Sequence, residues 1–230
     1  MDRALHILSV ALITAGVVIL ADVAATLVWQ EPTSSLYASV KQHDADSELV
    51  QLEQAFPAPA DRRVARHVHG RPQQVGTLAD LLEPQVQTGQ AIGRVVIPVI
   101  GLDIIMVQGT NTADLAQGPG HYASTPFPGQ PGTTAIAGHR TTYLAPFRHL
   151  DALKEGDLVE IEMPYATFDY RIQGTRVVEP TDVGILDSVG YQRLVLTACH
   201  PLYSASQRLA AFAKLERIRS VALGGEQGSG

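Results

Sequence analysis

Eighteen consecutive residues, Ala4 to Ala21, carry no Asp, Glu, Lys or Arg. As a helix they rise about 27 Å, close to the thickness of a bilayer's hydrocarbon core. The segment predicts a membrane span. Asp22 interrupts it, Val23 to Val28 follow, and Trp29 supplies an amphipathic ring suited to the far interface. Arg3 and the amino terminus are the flanking charges, and they favour an amino terminus inside. The alternative is a cleaved signal peptide with Val23-Ala24-Ala25 as its small-residue site, although signal h-regions run only about 7 to 15 residues. On either reading the remainder of the chain is delivered to the extracytoplasmic side.

Beyond the span the texture changes twice. Ser34 to Phe56 carries Leu36, Val40, Leu49, Leu52 and Phe56 among polar residues, a patchy helical period that fits an amphipathic stalk ended by Pro57-Ala58-Pro59. The basic run from Arg62 to Arg71 reads as a solvated linker, or as a segment lying against anionic headgroups. Thr77-Leu78-Ala79-Asp80 has the spacing of a helix amino-terminal cap before Leu81-Leu82 and predicts a short helix there.

From Ile92 onward short apolar runs alternate with Gly, Pro, Asn and Asp: Val95 to Ile100, Ile104 to Gln108, Thr133 to Ala137, Leu158 to Glu162, Thr167 to Ile172, Leu194 to Ala198 and Leu209 to Leu215. With turn signals at Pro119-Gly120, Pro128-Gly129 and Pro131-Gly132, these read as strands of an all-β barrel or sandwich. Phe147 to Leu153 is the best internal helix candidate, with Gly156 just past its end. The expected organisation is a transmembrane anchor at 1–29, an extracytoplasmic stalk/linker with short helices at 30–90, a β-domain at 91–223 and a flexible tail at 224–230.

A net charge of −6 and the lack of a Lys/Arg run interleaved with aromatics argue against a nucleic-acid partner. The single cysteine, Cys199, has no intramolecular disulfide partner, so it is either a packed thiol or a reactive one. It closes the run Leu194 to Ala198, at a strand end. Eight residues separate it from Arg208, which opens the next apolar run. If the two runs pair as antiparallel neighbours, Cys199 and Arg208 face each other. A guanidinium there suits an anionic sulfur, and also a substrate carbonyl or its developing oxyanion.

A cysteine nucleophile needs a proton partner. Of eight histidines, His139 stands out because it follows the strand Thr133 to Ala137 through Gly138, again at a strand end. His6, His43, His67, His69 and His149 read as surface or satisfied core, and His121, in Gly118-Pro119-Gly120-His121-Tyr122, as a turn residue. His200 adjoins Cys199, but neighbours along an extended chain point to opposite faces, so it has a supporting role at most.

The segment Ala137-Gly138-His139-Arg140-Thr141-Thr142-Tyr143, followed by Leu196-Thr197-Ala198-Cys199 and then Arg208, resembles the sortases, and most of all the class E sortases of actinobacteria. Ile92-Gly93-Arg94, Ile97-Pro98, Ile100-Gly101-Leu102, Pro128-Gly129, Leu150-Asp151 and Gly156-Asp157 extend the likeness in the same order. Val195 and Ala198 stand at two positions where the family usually carries threonine, and Leu144 where class E members commonly carry glycine. The resemblance implies a closed eight-stranded β-barrel and a cysteine transpeptidase that cuts a Leu-x-x-Thr-Gly signal between Thr and Gly. It also implies roles: Cys199 as nucleophile, His139 as general acid, Arg208 as substrate and oxyanion support, and Tyr143, Thr141, Thr197 and Ala198 as substrate-binding residues. The implied partners are secreted proteins with a C-terminal sorting signal, an amine of a cell-wall precursor, and membrane lipid, at the plasma membrane with the catalytic domain outside. No cofactor is expected. No acidic spacing resembles a calcium loop, so no metal is expected either. Two rival readings are an L,D-transpeptidase, whose cysteine normally follows a Ser-His-Gly run that Thr197-Ala198 does not match, and a non-catalytic tethered binding domain in which Cys199 merely packs.

Overall fold

In a computed structural model that describes residues 2–29, 32–219 and 221–223, the apolar runs become the strands of one closed barrel. The strands are β1 Ala91–Ile97, β2 Leu102–Gln108, β3 Gly120–His121, β4 Thr133–Ala137, β5 Leu158–Met163, β6 Ala166–Val178, β7 Arg193–His200 and β8 Gln207–Arg219. They close in the order β1-β2-β3-β4-β7-β8-β6-β5. Seven of the eight grow from the expected runs. β3 has only two residues and too little apolar sequence to announce itself, and it is held by a parallel pairing with β2 and an antiparallel one with β4. His121 is therefore a strand residue, not a turn residue. It is 1% exposed, with Nδ1 2.8 Å from Oε1 of Gln108, and burial lowers its pKa to about 4.

Strand alternation divides the residues around the barrel wall into two sets. Leu194, Leu196 and Ala198 of β7 and Leu209, Ala211 and Ala213 of β8 join the main core. The intervening residues Val195 and Ala210, with Ala135 of β4, form a separate cluster with Val178 and Ile185, against which Tyr122, Leu186 and Phe212 pack. The barrel thus has an apolar interior and, on one outer face, a second buried apolar cluster.

Five helices complete the described fold: α1 Asp2–Trp29, α2 Pro32–Ala55, α3 Pro59–Arg66, α4 Arg71–Leu82 and the short α5 Thr112–Leu115. Within α1, the 22 residues Arg3–Ala24 are long and apolar enough to cross a membrane and pack against nothing, which is compatible with an anchor or with a signal sequence. The Trp29 side chain and the tail at 224–230 lie outside the described residues.

The stalk segment is not a free spacer. Gln42 of α2 clamps β2, its Nε2 donating to the Ile105 carbonyl and its Oε1 accepting from the Ile105 N–H, at 2.9 and 2.8 Å. Ala45 and Leu49 bury against Ala91 and Ile105. The basic run is helical over its first half, as α3, whose Asp61 accepts from the Ala58 N–H at 2.8 Å and whose Ala65 is buried in the main core. α4 begins at Arg71-Pro72, six residues before the expected cap, because proline is preorganised for the first turn of a helix. Thr77 lies inside α4 and its Oγ1 donates to the Gln73 carbonyl. Leu78 and Leu82 are fully buried in the barrel core, contributing about 1.5–3 kcal/mol each. The helix expected over Phe147 to Leu153 reduces to one 3-10 turn, Leu150–Ala152, the segment being closed by tight bonds from Leu150 N–H to the Phe147 carbonyl, Ala152 N–H to the His149 carbonyl and Leu153 N–H to the Leu150 carbonyl.

Candidate active site

Three neighbouring strands end at one place. β7 and β8 pair antiparallel with Cys199 opposite Arg208, the expected register. β4 and β7 pair parallel with Ala137 opposite Thr197, and the Gly138 N–H extends the ladder by donating to the Thr197 carbonyl at 2.9 Å. Two residues further along each chain come His139 and Cys199, so both leave the sheet from the same end, on strands that run about 4.8 Å apart. Alternation from Val195 and Thr197 sends Cys199 to the outer face, and alternation from Ala210 sends Arg208 to the same face. His139 follows Ala135 and Ala137 in the same phase.

The Cys199 thiol is half-buried. Arg208 is fixed by the turn before it: Nη1 donates to the carbonyls of Ala205 and Gln207 at 2.8 and 3.0 Å. His139 is also half-buried, and its Nε2 is shielded from solvent yet has no hydrogen-bond partner among the described residues. Burial lowers its pKa below the ordinary histidine value, because a charged imidazolium loses hydration there. Its ring lies 5.2 Å from the ring of Tyr143, tilted by 37°.

The loop that carries Tyr143 is tightly wound. The Phe147 N–H donates to the His139 carbonyl at 3.0 Å and the Ala145 N–H to the Thr142 carbonyl at 2.8 Å. Tyr143, Leu144 and Ala145 take φ values of 50°, 65° and 44°, a left-handed stretch that costs L-residues roughly 1–2 kcal/mol each. Leu144 therefore pays a strain that glycine at this position would avoid. Gly138 is needed for a different reason. A Cβ there would sit 2.5 Å from the Phe147 ring, which packs directly against the backbone that leads into His139.

The remaining expected residues divide. Thr197 lies on the outer face, 3% exposed, its Oγ1 3.1 Å from the Tyr122 hydroxyl. Thr141 is half-buried at the start of the loop. Ala198, by contrast, points into the barrel and packs in the main core, so the structure does not bring it to the face that carries Cys199. A residue directly before a strand-end cysteine must alternate away from it, and that much was readable from parity.

Three neighbours had no clear signal in the sequence. Tyr37 of α2 meets the Tyr143 ring edge-on, with centroids 6.3 Å apart, and Ser34 Oγ accepts the Tyr143 N–H at 3.3 Å. Arg140, next to His139, is 2% exposed and bonded on all sides. An arginine in a loop reads as surface, and only the fold shows it buried. Among the described residues no group of three or more His, Cys, Asp or Glu side chains converges to hold a metal. The outer face instead gathers a thiol, an imidazole and a guanidinium, a set able to combine nucleophilic attack, proton transfer and stabilisation of an oxyanion.

A sortase-domain family model matches residues 95–216, more than half of the chain. The sortase D of Bacillus subtilis is 35% identical over 116 residues, covering 50% of this chain and 57% of that protein. The sortase E1 of Streptomyces coelicolor is 30% identical over 152 residues, covering 58% of this chain and 43% of that protein. The chain thus spans about half the length of these curated relatives. The solved sortase E of Streptomyces avermitilis shares 34% identity with a TM-score of 0.54, over 61% of this chain and 97% of that one. The sortase E1 of Streptomyces coelicolor, solved with a tripeptide in its active site, shares 26% identity with a TM-score of 0.55, over 60% and 96%. The likeness to class E carried by the His139 to Tyr143 segment therefore extends to whole structures, and with the family model matched across the barrel, this chain belongs to the sortase family.

Proposed function

We propose that the chain is a membrane-anchored cysteine transpeptidase that cleaves a Leu-Ala-x-Thr-Gly-type signal between Thr and Gly and passes the acyl group to a cell-wall amine. The observation that carries this reading is the convergence of His139, Cys199 and Arg208 on one outer face at three adjacent strand ends, with the His139 Nε2 left without a protein partner among the described residues. An unpaired buried polar atom costs about 1–3 kcal/mol, and an approaching peptide or the thiol itself relieves that cost.

In the first half-reaction the Cys199 sulfur, as thiolate, attacks the threonine carbonyl carbon, and the new C–S bond pushes an electron pair onto oxygen. Arg208 donates to that oxyanion. The C–N bond then breaks as the charged His139 gives its proton to the departing glycine amine, leaving a thioester. In the second half-reaction the acceptor amine attacks the thioester and gives a proton to the now neutral His139, and the sulfur leaves as thiolate. No electrons are exchanged and no cofactor is required. The buried apolar cluster of Ala135, Val195, Ala210, Val178 and Ile185 backs the face that would receive the signal. Thr197 borders that cluster. Thr141 lies in the loop that follows His139, and Tyr143, against the His139 ring, acts in the choice between alanine and proline at the second signal position.

The partners are secreted proteins bearing the signal at their C-terminus and an amine of the cell-wall precursor, with α1 retained as a single-pass span of the plasma membrane and the barrel outside. The test uses the full chain in detergent with Leu-Ala-x-Thr-Gly and Leu-Pro-x-Thr-Gly peptides and a glycine amine, read by mass spectrometry. Transfer at the Thr–Gly bond through an adduct on Cys199 is expected. Failure to process any peptide of the panel, or cleavage at another bond, would overturn the reading.

A further inference from the structure

We infer that Arg140 is a positioning residue, a buried guanidinium that locks the loop carrying His139 to the strand end carrying Cys199. The inference rests on the transpeptidase reading above for the meaning of those two side chains, and on the hydrogen bonds of Arg140 for everything else.

His139 and Cys199 belong to segments that diverge immediately. Past the Gly138–Thr197 bond no backbone hydrogen bond joins the loop to β7 among the described residues. The separation of imidazole and thiol therefore depends on side chains. Arg140, one residue on and in the opposite phase, reaches behind the site. Its Nη1 is 3.2 Å from Nδ1 of His200, the neighbour of Cys199. Its Nε and Nη2 donate to the Arg148 carbonyl at 3.3 and 3.1 Å, and its Nη2 also meets Oδ2 of Asp151 at 2.9 Å. One side chain thus joins the two arms of the loop, the turn after it, and the end of β7. All three guanidinium nitrogens are used, and the side chain is 2% exposed, so its charge is directed wholly to these partners.

The contact also dictates chemistry on His200. Arginine only donates, so Nδ1 of His200 must accept, and the ring proton of neutral His200 sits on Nε2. His200 and Arg140 stand behind the face where the reaction occurs, and neither touches the reacting atoms. They act by holding the flanking residues still, and displacement by about 1 Å in such a frame is enough to cost about a hundredfold in rate.

The experiment compares Arg140→Lys, Arg140→Gln, His200→Gln, His200→Leu and the double variant Arg140→Gln/His200→Leu in the full chain, with thermal melting recorded for each. Arg140→Lys and Arg140→Gln are expected to lower kcat about tenfold to a hundredfold with KM within about twofold, since positioning is lost and peptide contacts are not. Lysine fails to rescue because a single ammonium lacks the planar fork that serves three partners. His200→Gln, which keeps an acceptor oxygen, is expected within about threefold of the parent, and His200→Leu about tenfold below it. The double variant should be no worse than Arg140→Gln by more than about twofold, because both changes break the same contact.

Near-full activity of Arg140→Lys, equal activity of the two His200 variants, or an additive double variant overturns the inference. If the Arg140 variants do not fold, the His200 pair alone decides it. Histidine-selective 15N spectra give a readout independent of turnover: the His200 signal should report Nε2–H in the parent and mixed tautomers in Arg140→Gln, and an unchanged signal overturns the inference. A parent enzyme inert on every peptide, with the tautomer shift present, would instead mean that the transpeptidase reading had failed and the Arg140 lock had not.

Discussion

Cys199 and Arg208 stand on a regular antiparallel ladder, whereas His139 stands just past the end of a parallel one, at the root of a loop wound through three left-handed residues. In the first region backbone hydrogen bonds set the distance between the functional groups, and side chains are free to be chosen for chemistry. In the second the ladder gives out after Gly138, and the imidazole is held by the Phe147–His139 backbone bond, by the Arg140 contacts and by packing: Phe147 under Gly138, Tyr143 over the ring, and Tyr37 against Tyr143. A ladder fails only if the strand fails. A packed loop can be loosened one side chain at a time, so the two regions should respond differently to substitution.

The largest effect expected is on the ladder side. Cys199→Ala should abolish turnover and the thioester adduct while leaving the melting temperature within a few degrees of the parent, because the half-buried thiol makes little of the core. Residual transfer by this variant, read by mass spectrometry, would break the assignment. Next comes His139→Ala, expected to lose at least about a hundredfold in kcat/KM, the usual scale for a general acid or base. Equal loss at His121 with His139 dispensable would reverse the choice of histidine.

The pH dependence separates the regions further. The active form pairs a charged imidazole with a thiolate, and burial lowers the pKa of His139. Raising the pH through the lower of the two macroscopic pKa values takes one proton from the Cys199–His139 pair, and the thiolate–imidazolium form is one tautomer of the singly protonated pair that results. The acid limb of kcat/KM therefore reports that lower pKa, which burial of His139 places below the unperturbed value of about 6.5. Tyr143→Ala admits water to the ring and should move the acid limb upward. For Arg208 the ladder already sets the place, so what matters is the shape of the group. Arg208→Lys should be nearly as damaging as Arg208→Ala, since a point charge on a flexible stem does not replace a planar fork whose Nη1 is already tied to two carbonyls. Full activity with lysine would show that charge alone suffices.

The same division explains what was legible in the sequence. Runs such as Leu194 to Ala198 and Leu209 to Leu215 state their own period, and one assumption about pairing then puts Cys199 opposite Arg208. The alternation that placed His200 behind the site also places Ala198 there, and the resemblance alone had kept Ala198 among the substrate contacts. The loop was opaque. Nothing local in Phe147 to Leu153 says that the Phe147 N–H turns back to the His139 carbonyl, and nothing in Arg140 says that its acceptors lie eight and sixty residues away at Arg148 and His200. β3 escaped notice for the opposite reason: two residues paired on both sides need no apolar run. α2 read as an amphipathic stalk on Leu36, Val40, Leu49, Leu52 and Phe56, but only the last three pack inward while Leu36 and Val40 are exposed, and the surface that α2 meets is β2 and β1, which sequence alone does not bring near.

The smallest expected effect tests how far the N-terminal helix shares in holding the loop. Tyr37 touches Tyr143 edge to face, and Ser34 accepts the Tyr143 N–H. An aromatic pair of this kind is worth about 0.5–1.5 kcal/mol beyond its buried area, or roughly two- to tenfold in the population of the closed loop. Tyr37 is 49% exposed, which puts its contribution toward the lower end. Tyr37→Phe keeps the ring and should be silent, while Tyr37→Ala should lower kcat/KM about two- to threefold. Tyr37→Ala should also narrow the preference for the alanine signal, by less than Tyr143→Ala does, because Tyr37 acts on the groove only through Tyr143. Competition between the alanine and proline peptides, read as a product ratio, cancels any difference in enzyme concentration and resolves changes of that size. A Tyr37→Ala effect as large as that of Tyr143→Ala would mean that α2, and not the loop's own winding, fixes the tyrosine over His139.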